Sequence, residues 1–310
     1  MDKPLISIIT PCLNRVDFIG KAVESVLAQG YPSVEHIVMD AGSTDGTLEI
    51  LRTYPHLRVV SEPDNGMYDA INKGLRLAKG QIIGLLNSDD LYAEGCFDAV
   101  ETAFEQNPHA LAVVGGITTF REKDDGWEII NTVPAIGTHE LWPRLIHGHP
   151  VTNAWFFRQE VFSRLGGFDE RLRWSADRFF LIHVVLDGGV RPVPIPRILY
   201  HYRQHSGSVT ITTLDSRDPR YGLVRIKTLQ EDISGLNELR ARTELPPEVF
   251  RLVRREHGER CYRLAATAAY HRRWGAALEA VRIGWRANLL WPFIFFEMAI
   301  RRLFHLGDAA

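Results

Sequence analysis

The sequence predicts an α/β fold: a mostly parallel sheet flanked by helices, followed by a C-terminal helical extension. Three observations carry this. Short apolar runs alternate with helix-like periods through the first third of the chain, the pattern of βαβ units. Each of the first four runs ends on a cluster of turn-forming or acidic residues. Residues 214–310 then lose strand signals and become rich in Arg, Leu and Ala at helical spacing.

The elements follow in order. Residues 5–10 form a continuous apolar run and read as a buried strand. Residues 17–29 carry Phe18, Ala22, Val26 and Leu27 at helical spacing and stop at Gly30. A second strand, 34–39, ends on Asp40. Thr44 or Asp45 can cap a helix reaching Tyr54, with Glu49 in its first turns. Residues 57–60 are a third strand. Residues 66–79 are a helix with Met67, Ala70, Ile71, Leu75 and Ala78 facing inward, closed by Gly80. The fourth strand, 81–86, runs into Asn87-Ser88-Asp89-Asp90. A helix at 94–107 stops at Pro108, and 111–115 is a fifth strand. Beyond it the pattern is less regular: a strand at 127–133, helices at 158–165 and 176–186, and extended segments at 190–194 and 198–202. The domain boundary falls within 211–218.

Composition excludes several function classes. Of 310 residues 45% are apolar and 24% charged, the balance of an ordinary globular protein. A net charge of -2 gives no global field for nucleic acid. Cys12, Cys96 and Cys261 are widely spaced and match neither a disulfide framework nor a metal pattern, which points to a reducing compartment. The opening residues lack the basic and apolar regions of a signal peptide, and no apolar stretch is long enough to span a bilayer. The expected location is cytoplasmic, either free or at the inner face of the membrane.

In open parallel sheets, ligands bind beyond the carboxyl ends of the strands. That rule gathers Pro11 and Asn14, then Asp40 to Ser43, then Glu62 to Asn65, then Asn87 to Asp90 onto one edge. Asp89 and Asp90 side by side repel each other and lose hydration in a cleft. A divalent cation, Mg²⁺ or Mn²⁺, removes both costs and bridges naturally to phosphates. The alternative is a solvated turn, since Asn, Ser and Asp all favour turns.

The ordered set Pro11 and Asn14, Asp40-Ala41-Gly42-Ser43-Thr44-Asp45-Gly46-Thr47, Asn65-Gly66 with Asn72-Lys73-Gly74, and Asn87-Ser88-Asp89-Asp90 resembles the inverting, family 2 glycosyltransferases of GT-A fold, a Rossmann-like architecture. The resemblance covers residues 4–210. It implies a catalytic domain over 1–213, with nucleotide-sugar binding in 1–116 and the acceptor side in 117–213, and a helical extension over 214–310. It implies a nucleotide-sugar donor, most often a UDP-sugar, and a divalent metal cofactor. Pro11 and Asn14 would border the nucleotide, and Asp40 would accept a hydrogen bond from uracil. Asn87 would join the donor contacts, Asp89 would meet ribose or metal, and Asp90 the metal. Asp69 and Lys73 share a helix face; Lys73 either approaches the diphosphate or pairs with Asp69.

The acceptor side follows from the same resemblance. Asp177, in Trp174-Ser175-Ala176-Asp177, is the expected general base, with Trp174 lining the acceptor pocket; otherwise Asp177 is a helix-end carboxylate favoured by the macrodipole. Asp169 is the second candidate for the base. His205 would sit on metal or diphosphate and Arg203 would clamp the diphosphate, unless the segment is a polar loop. His149 would line the acceptor pocket or serve a structural role. A Gln-x-x-Arg-Trp segment is absent after Asp177, which argues against a processive synthase.

The expected reaction is transfer of a sugar to an acceptor hydroxyl in cell-surface glycan assembly, on a glycan or lipid-linked acceptor. The alternative is a non-catalytic sugar- or nucleotide-binding module; the retained Asp40, Asp89, Asp90 and Asp177 speak against it. A nucleotidyltransferase would need a Gly-rich loop after the first strand, where this chain has Pro11-Cys12-Leu13-Asn14-Arg15. In 271–304, arginines surround Trp274, Trp285, Trp291, Phe293, Phe295 and Phe296, with Pro292 placed to start a helix. This fits peripheral contact with an anionic membrane, or packing on the catalytic domain or on a second copy in a homodimer.

Overall fold

The computed structural model describes residues 3–137, 140–148, 152–205, 207 and 219–287. The chain divides into two compact units, one holding Met1–Leu145 and His149–Ser208, the other Ile146–Gly148 and Val209–Ala310.

The first unit is built on one sheet in the order β3-β2-β1-β4-β8-β6-β9-β5, with β7 paired to β6. Its centre is β1 (Ile6–Cys12), every residue of which is buried. β1 lies between β2 (Val34–Asp40) and β4 (Ile82–Leu85), parallel to both, and β3 (Leu57–Ser61) is parallel to β2. The connecting helices are α1 (Ile19–Leu27), α2 (Thr47–Arg52) and α3 (Met67–Leu77). The buried apolar runs of β1 and β4 match a sheet covered on both faces there, while β3 is a largely exposed edge. Register places Cys12 beside Asp40 and Asp40 beside Ser61, so the strand ends share one edge.

The second half of the sheet is mixed. β8 (Trp155–Arg158) runs antiparallel to β4, and β6 (Ala112–Lys123) antiparallel to β8. Two reversals leave β6 pointing the same way as β4. β9 (Val193–Arg203) is parallel to β6, so its carboxyl end also reaches the edge where β1, β2 and β4 end. The last strand, β5 (Leu91–Tyr92), follows directly on the loop after β4 but pairs with β9. A short loop can join these only if the sheet curls. The Tyr92 hydroxyl donates to the Leu85 carbonyl at 2.9 Å, and the Tyr92 ring lies 5.5 Å from Phe156, which closes the curl around a core of Ile6, Ile8, Phe97, Leu199 and Tyr200.

Several elements differ from the sequence pattern. β8 is only four residues long, too short to show a period, and its three aromatics are fully buried. The expected strand at 111–115 extends to Lys123 and returns through Asp124 and Asp125 as β7 (Gly126–Val133). The segments at 190–194 and 198–202 join as one strand. Pro194 and Pro196 lack N–H groups, and the β6–β9 ladder slips between Val114 and Ile117 rather than breaking. α3 packs closely on β1 because Gly74 has no side chain: a Cβ there would stand 2.5 Å from Ile9. The remaining helices of this part of the chain are α4 (Cys96–Gln106), α5 (Leu141–His147), which crosses the division between units, α6 (Gln159–Leu165) and α7 (Ala176–Leu186).

The second unit contains α8 (Pro219–Arg240), α9 (Pro247–Tyr270) and α10 (Trp274–Ala287). Ile226, Leu229 and Ile233 meet Cys261, Leu264 and Ala268 in its core, with Ala277 and Ala280 from α10. Arg260 is fully buried, 3.3 Å from Asp232 and 2.5 Å from Glu256, and so ties α8 to α9. Among the described residues no helix is long and apolar enough to cross a membrane.

Candidate active site

The β1–α1 turn and the β2–α2 turn are stitched to one another. Asn14 takes the left-handed conformation (φ 52°), which Asn tolerates better than most residues. Its N–H donates to Ser43 Oγ at 2.8 Å, and its Oδ1 accepts from the Thr44 N–H at 2.9 Å. Asp45 accepts from Val16 N–H and from Thr47, holding the start of α2. Pro11 sits in β1 opposite Met39. Asp40 is 1% exposed. Its Oδ2 accepts from Gly42 N–H, Ser43 N–H and Ser61 Oγ, and its Oδ1 from Ser43 Oγ. This carboxylate shapes the turn itself, and a nucleobase donor would share its Oδ1.

On α3, Asp69 accepts from the Asn65 N–H at 2.9 Å, which with Lys73 holds its carboxyl below the usual range. Lys73 lies 3.1 Å from Glu62 and 3.4 Å from Asp69, and donates to the Pro63 carbonyl at 2.9 Å. In this structure Lys73 is ion-paired with Asp69 and Glu62.

The two carboxylates after β4 have different surroundings. Asp90 is 1% exposed and fully engaged: Oδ1 accepts from Arg203 N–H at 2.7 Å, and Oδ2 from Tyr200 OH at 2.7 Å and Asn87 Nδ2 at 2.9 Å. Burial, reinforced by the charge of Asp89, pushes its pKa up to about 8. Asp89 remains partly exposed. Its Oδ2 is 3.1 Å from His205 Nε2 and 3.5 Å from Arg15 Nε. The Gly207 N–H donates to His205 Nδ1 at 3.2 Å, which leaves Nε2 as the N–H that faces Asp89. Phe18 packs against the His205 ring at 4.3 Å.

The oxygens of Asp90, the residue expected to meet the metal, face protein donors in this structure. Asp89 and His205 are the pair that presents an oxygen and a nitrogen together. Arg203 is likewise 2% exposed. Its Nε donates to the Asp89 carbonyl at 2.6 Å, its guanidinium pairs with Glu122, and the rings of Phe18 and Phe120 flank it at 5.5 and 5.0 Å. It holds the Asp89–Asp90 backbone in place, and the diphosphate-clamp role expected for it does not match that placement. Arg15, which the sequence reading passed over, is the cation whose head lies beside Asp89. Only the three-dimensional meeting of the β1 and β4 loops reveals it.

A divalent cation fits this donor set in part. Mg²⁺ and Mn²⁺ take oxygen and imidazole ligands and keep waters or substrate phosphates in the remaining positions. The Asp89 carboxylate suits a cation that arrives with a diphosphate, and His205 would add Nε2 as a ligand only by giving up the proton it directs at Asp89. Among the described residues no group of three or more His, Cys, Asp or Glu converges, so phosphate oxygens and water would complete the shell of a bound cation.

On the acceptor side, Asp177 lies in the first turn of α7, half-buried, with its Oδ1 accepting from the Arg178 N–H at 2.7 Å. α7 packs on the short turn Thr152–Ala154, which also touches β4, the strand that leads into the loop Asn87 to Asp90. Asp169 instead forms a two-pronged pair with Arg171 at 2.6 to 3.1 Å, and that pairing holds its carboxyl below the usual range. A carboxylate so stabilised is a weak proton acceptor. Trp174 is half-buried just before α7, with the Arg173 guanidinium 5.8 Å from its ring. His149 lies outside the described residues.

Residues 7–166 match the model of glycosyl transferase family 2, and the chain belongs to that family. It is 28% identical over 220 residues to the uncharacterized glycosyltransferase EpsJ of Bacillus subtilis, covering 67% of this chain and 63% of that one. It is 28% identical to the chondroitin synthase of Escherichia coli over 75% of this chain and 33% of that enzyme. It is 38% identical to a hyaluronan synthase of Pasteurella multocida over 56% of this chain and 18% of that enzyme. The chain thus spans less than two-thirds of the length of these relatives.

Among solved structures it is similar to Staphylococcus aureus TarS 1-349 in complex with UDP-GlcNAc (17% identity, TM-score 0.55, 90% of each chain). It is also similar to the Pyrobaculum calidifontis mannosyltransferase PcManGT in complex with GDP-Man and Mn²⁺ (20% identity, TM-score 0.58, 99% of this chain and 81% of that one). The fold is the GT-A fold of these transferases.

Proposed function

We propose that the protein is a metal-dependent inverting glycosyltransferase that moves a sugar from a nucleotide-sugar, a UDP-sugar by preference, to an acceptor hydroxyl during cell-surface glycan assembly. The observation that carries this reading is the split between the two carboxylates after β4. Asp90 is buried as a brace, while Asp89 stays open beside His205 and Arg15 at the edge where six strands end. The relatives named for chondroitin and hyaluronan synthesis support polysaccharide work. The neighbours bound to UDP-GlcNAc and to GDP-Man with Mn²⁺ support the donor class and the metal.

In this reading the Asn14–Ser43–Asp40 turn receives the nucleoside. Asp89 would hold the cation, with His205 as a second ligand once Nε2 gives up its proton, and Arg15 adds positive charge near the phosphates. The cation, when bound, offsets the charge that builds on the departing nucleoside diphosphate. Asp177 takes the proton of the acceptor hydroxyl as that oxygen attacks the anomeric carbon from the face opposite the leaving group, which inverts the configuration. Trp174 and, by the family resemblance, His149 border the acceptor.

The test is turnover on a panel of nucleotide-sugars with Mn²⁺, read as nucleoside diphosphate release dependent on acceptor. Release with one donor, lost in Asp89→Ala, supports the reading. No turnover with any donor and acceptor, despite nucleotide binding, would favour a binding module.

A further inference from the structure

α10 turns large apolar side chains outward as well as inward. A surface helix usually turns its large apolar side chains inward and its small or polar ones out. Here Ala277, Ala280 and Gly284 are buried and Val281 and Ile283 partly buried, while Trp274, Leu278 and Trp285 are 62%, 70% and 57% exposed. Positions 274, 278 and 285 fall on one stripe of a helix with 3.6 residues per turn. Exposing two tryptophans and a leucine in line is costly in water unless something covers them.

The residues around the stripe indicate what covers it. Arg282 and Arg286 are exposed along one side, and His271, Arg272 and Arg273 lead into the helix. The one acidic residue of α10 is Glu279, 4.0 Å from Arg282 and itself exposed, so it offsets little of this charge. The basic character extends through the second unit. Residues 219–287 carry more Arg and Lys than Asp and Glu, although the whole chain has a net charge of -2. Tryptophans at the level of lipid headgroups with arginines beside them are the composition of a helix lying in a bilayer interface. Two copies joined stripe to stripe would instead bring the arginines of both around one apolar seam, with only Glu279 from each to balance them.

We infer that the outward stripe Trp274–Leu278–Trp285, flanked by Arg282 and Arg286, is a docking face for an anionic lipid surface. The aromatic rings enter the headgroup region and the guanidinium groups pair with lipid phosphates. The inference does not depend on the transferase reading, since lipid binding needs no turnover.

The test is co-sedimentation of the full chain with vesicles of phosphatidylcholine alone and of phosphatidylcholine mixed with phosphatidylglycerol. Binding to the anionic vesicles only, weakened by salt, is expected. Arg282→Gln with Arg286→Gln should weaken it roughly thirty-fold, from about 1 kcal/mol for each basic group near the surface. Trp274→Ser with Trp285→Ser should abolish it and also remove a blue shift of tryptophan fluorescence on adding vesicles. Both pairs are exposed, so circular dichroism should show an unchanged fold. No binding to either vesicle overturns the proposal, as does binding that both pairs leave intact. Concentration-dependent dimerisation lost in the tryptophan pair, without vesicle binding, would show that a second copy covers the stripe and would overturn it too.

Discussion

Asn72 on α3 pairs with the backbone of Phe168 much as one strand residue pairs with its neighbour. Its Oδ1 accepts the Phe168 N–H and its Nδ2 donates to the Phe168 carbonyl, each at 2.8 Å. Nδ2 also donates to Glu170 Oε1 at 2.9 Å. Above this joint, Tyr68, Phe168 and Phe180 stack with centroids 5.4 and 4.4 Å apart. α3 is thereby connected to α7, whose first turn carries Asp177 three residues before Phe180. A Cβ on Gly167 would lie 2.1 Å from Asn72 Oδ1, so the turn needs a glycine there.

This joint should behave as a unit. Asn72→Ala leaves the buried Phe168 amide unsatisfied and should cost about 2–4 kcal/mol. Gly167→Ala should cost a similar amount alone but much less in the Asn72→Ala background, where the obstructing oxygen is gone. A double-mutant cycle by chemical denaturation measures this coupling. Additive effects would show that the two residues do not share one constraint.

Asp89 and Asp90 should separate function from stability. Asp90→Ala strips partners from Arg203 N–H, Tyr200 OH and Asn87 Nδ2, and should lower stability by about 3–5 kcal/mol. Asp89→Ala should change stability by less than about 1 kcal/mol, because its partners His205 and Arg15 remain accessible to water, yet remove the effect of Mn²⁺ on nucleotide binding. Thermal melts and nucleotide titrations of both variants check the split.

Asp177→Asn should reduce turnover by about 10²–10⁴-fold while leaving the nucleoside diphosphate dissociation constant nearly unchanged, since a base acts on the acceptor and not on the donor. Asp169→Asn should affect turnover far less. A reversed order of these effects would transfer the base role to Asp169.

Acid should destabilise the fold through buried histidines. Burial, aided by His56, pushes His36 down to about 3, and burial with Arg240 pushes His257 down to about 4. Both stay neutral when folded but gain a proton near pH 6.5 when unfolded. The unfolded state therefore binds more protons below that pH, and stability falls as pH drops from about 6.5 towards the folded-state values. Each contributes a slope of about 1.4 kcal/mol per pH unit. Between pH 7.5 and 5 buried Asp90, held at about 8, carries its proton in the folded state alone and offsets one such increment, and denaturation there should show the slope lowered by one further increment in His36→Gln.

The donor half is legible in the sequence because its strands are continuous apolar runs with turn-forming polar or acidic ends, and parallel pairing brings those ends to one edge. Strand Ile6–Cys12 and the run from Asn87 to Asp90 are of this kind. The β8 and β5 strands are not legible, since four residues and two residues leave no period to read. The distinct fates of Asp89 and Asp90 are also hidden. They depend on β9 returning beside β6 and on the curl that brings Tyr200 and Arg203 to Asp90. Arg15 becomes a site residue for the same reason. Lys73 had two readings because helical spacing places it near Asp69 but says nothing of Glu62 or the Pro63 carbonyl.

The most direct test of the donor site is calorimetric titration of UDP into the full chain with and without Mn²⁺, for the wild type and Asp89→Ala. The account predicts binding that Mn²⁺ strengthens at least about tenfold in the wild type and leaves unchanged in Asp89→Ala. Equal affinity with and without Mn²⁺ in the wild type would contradict the metal-bridged donor site at Asp89 and His205.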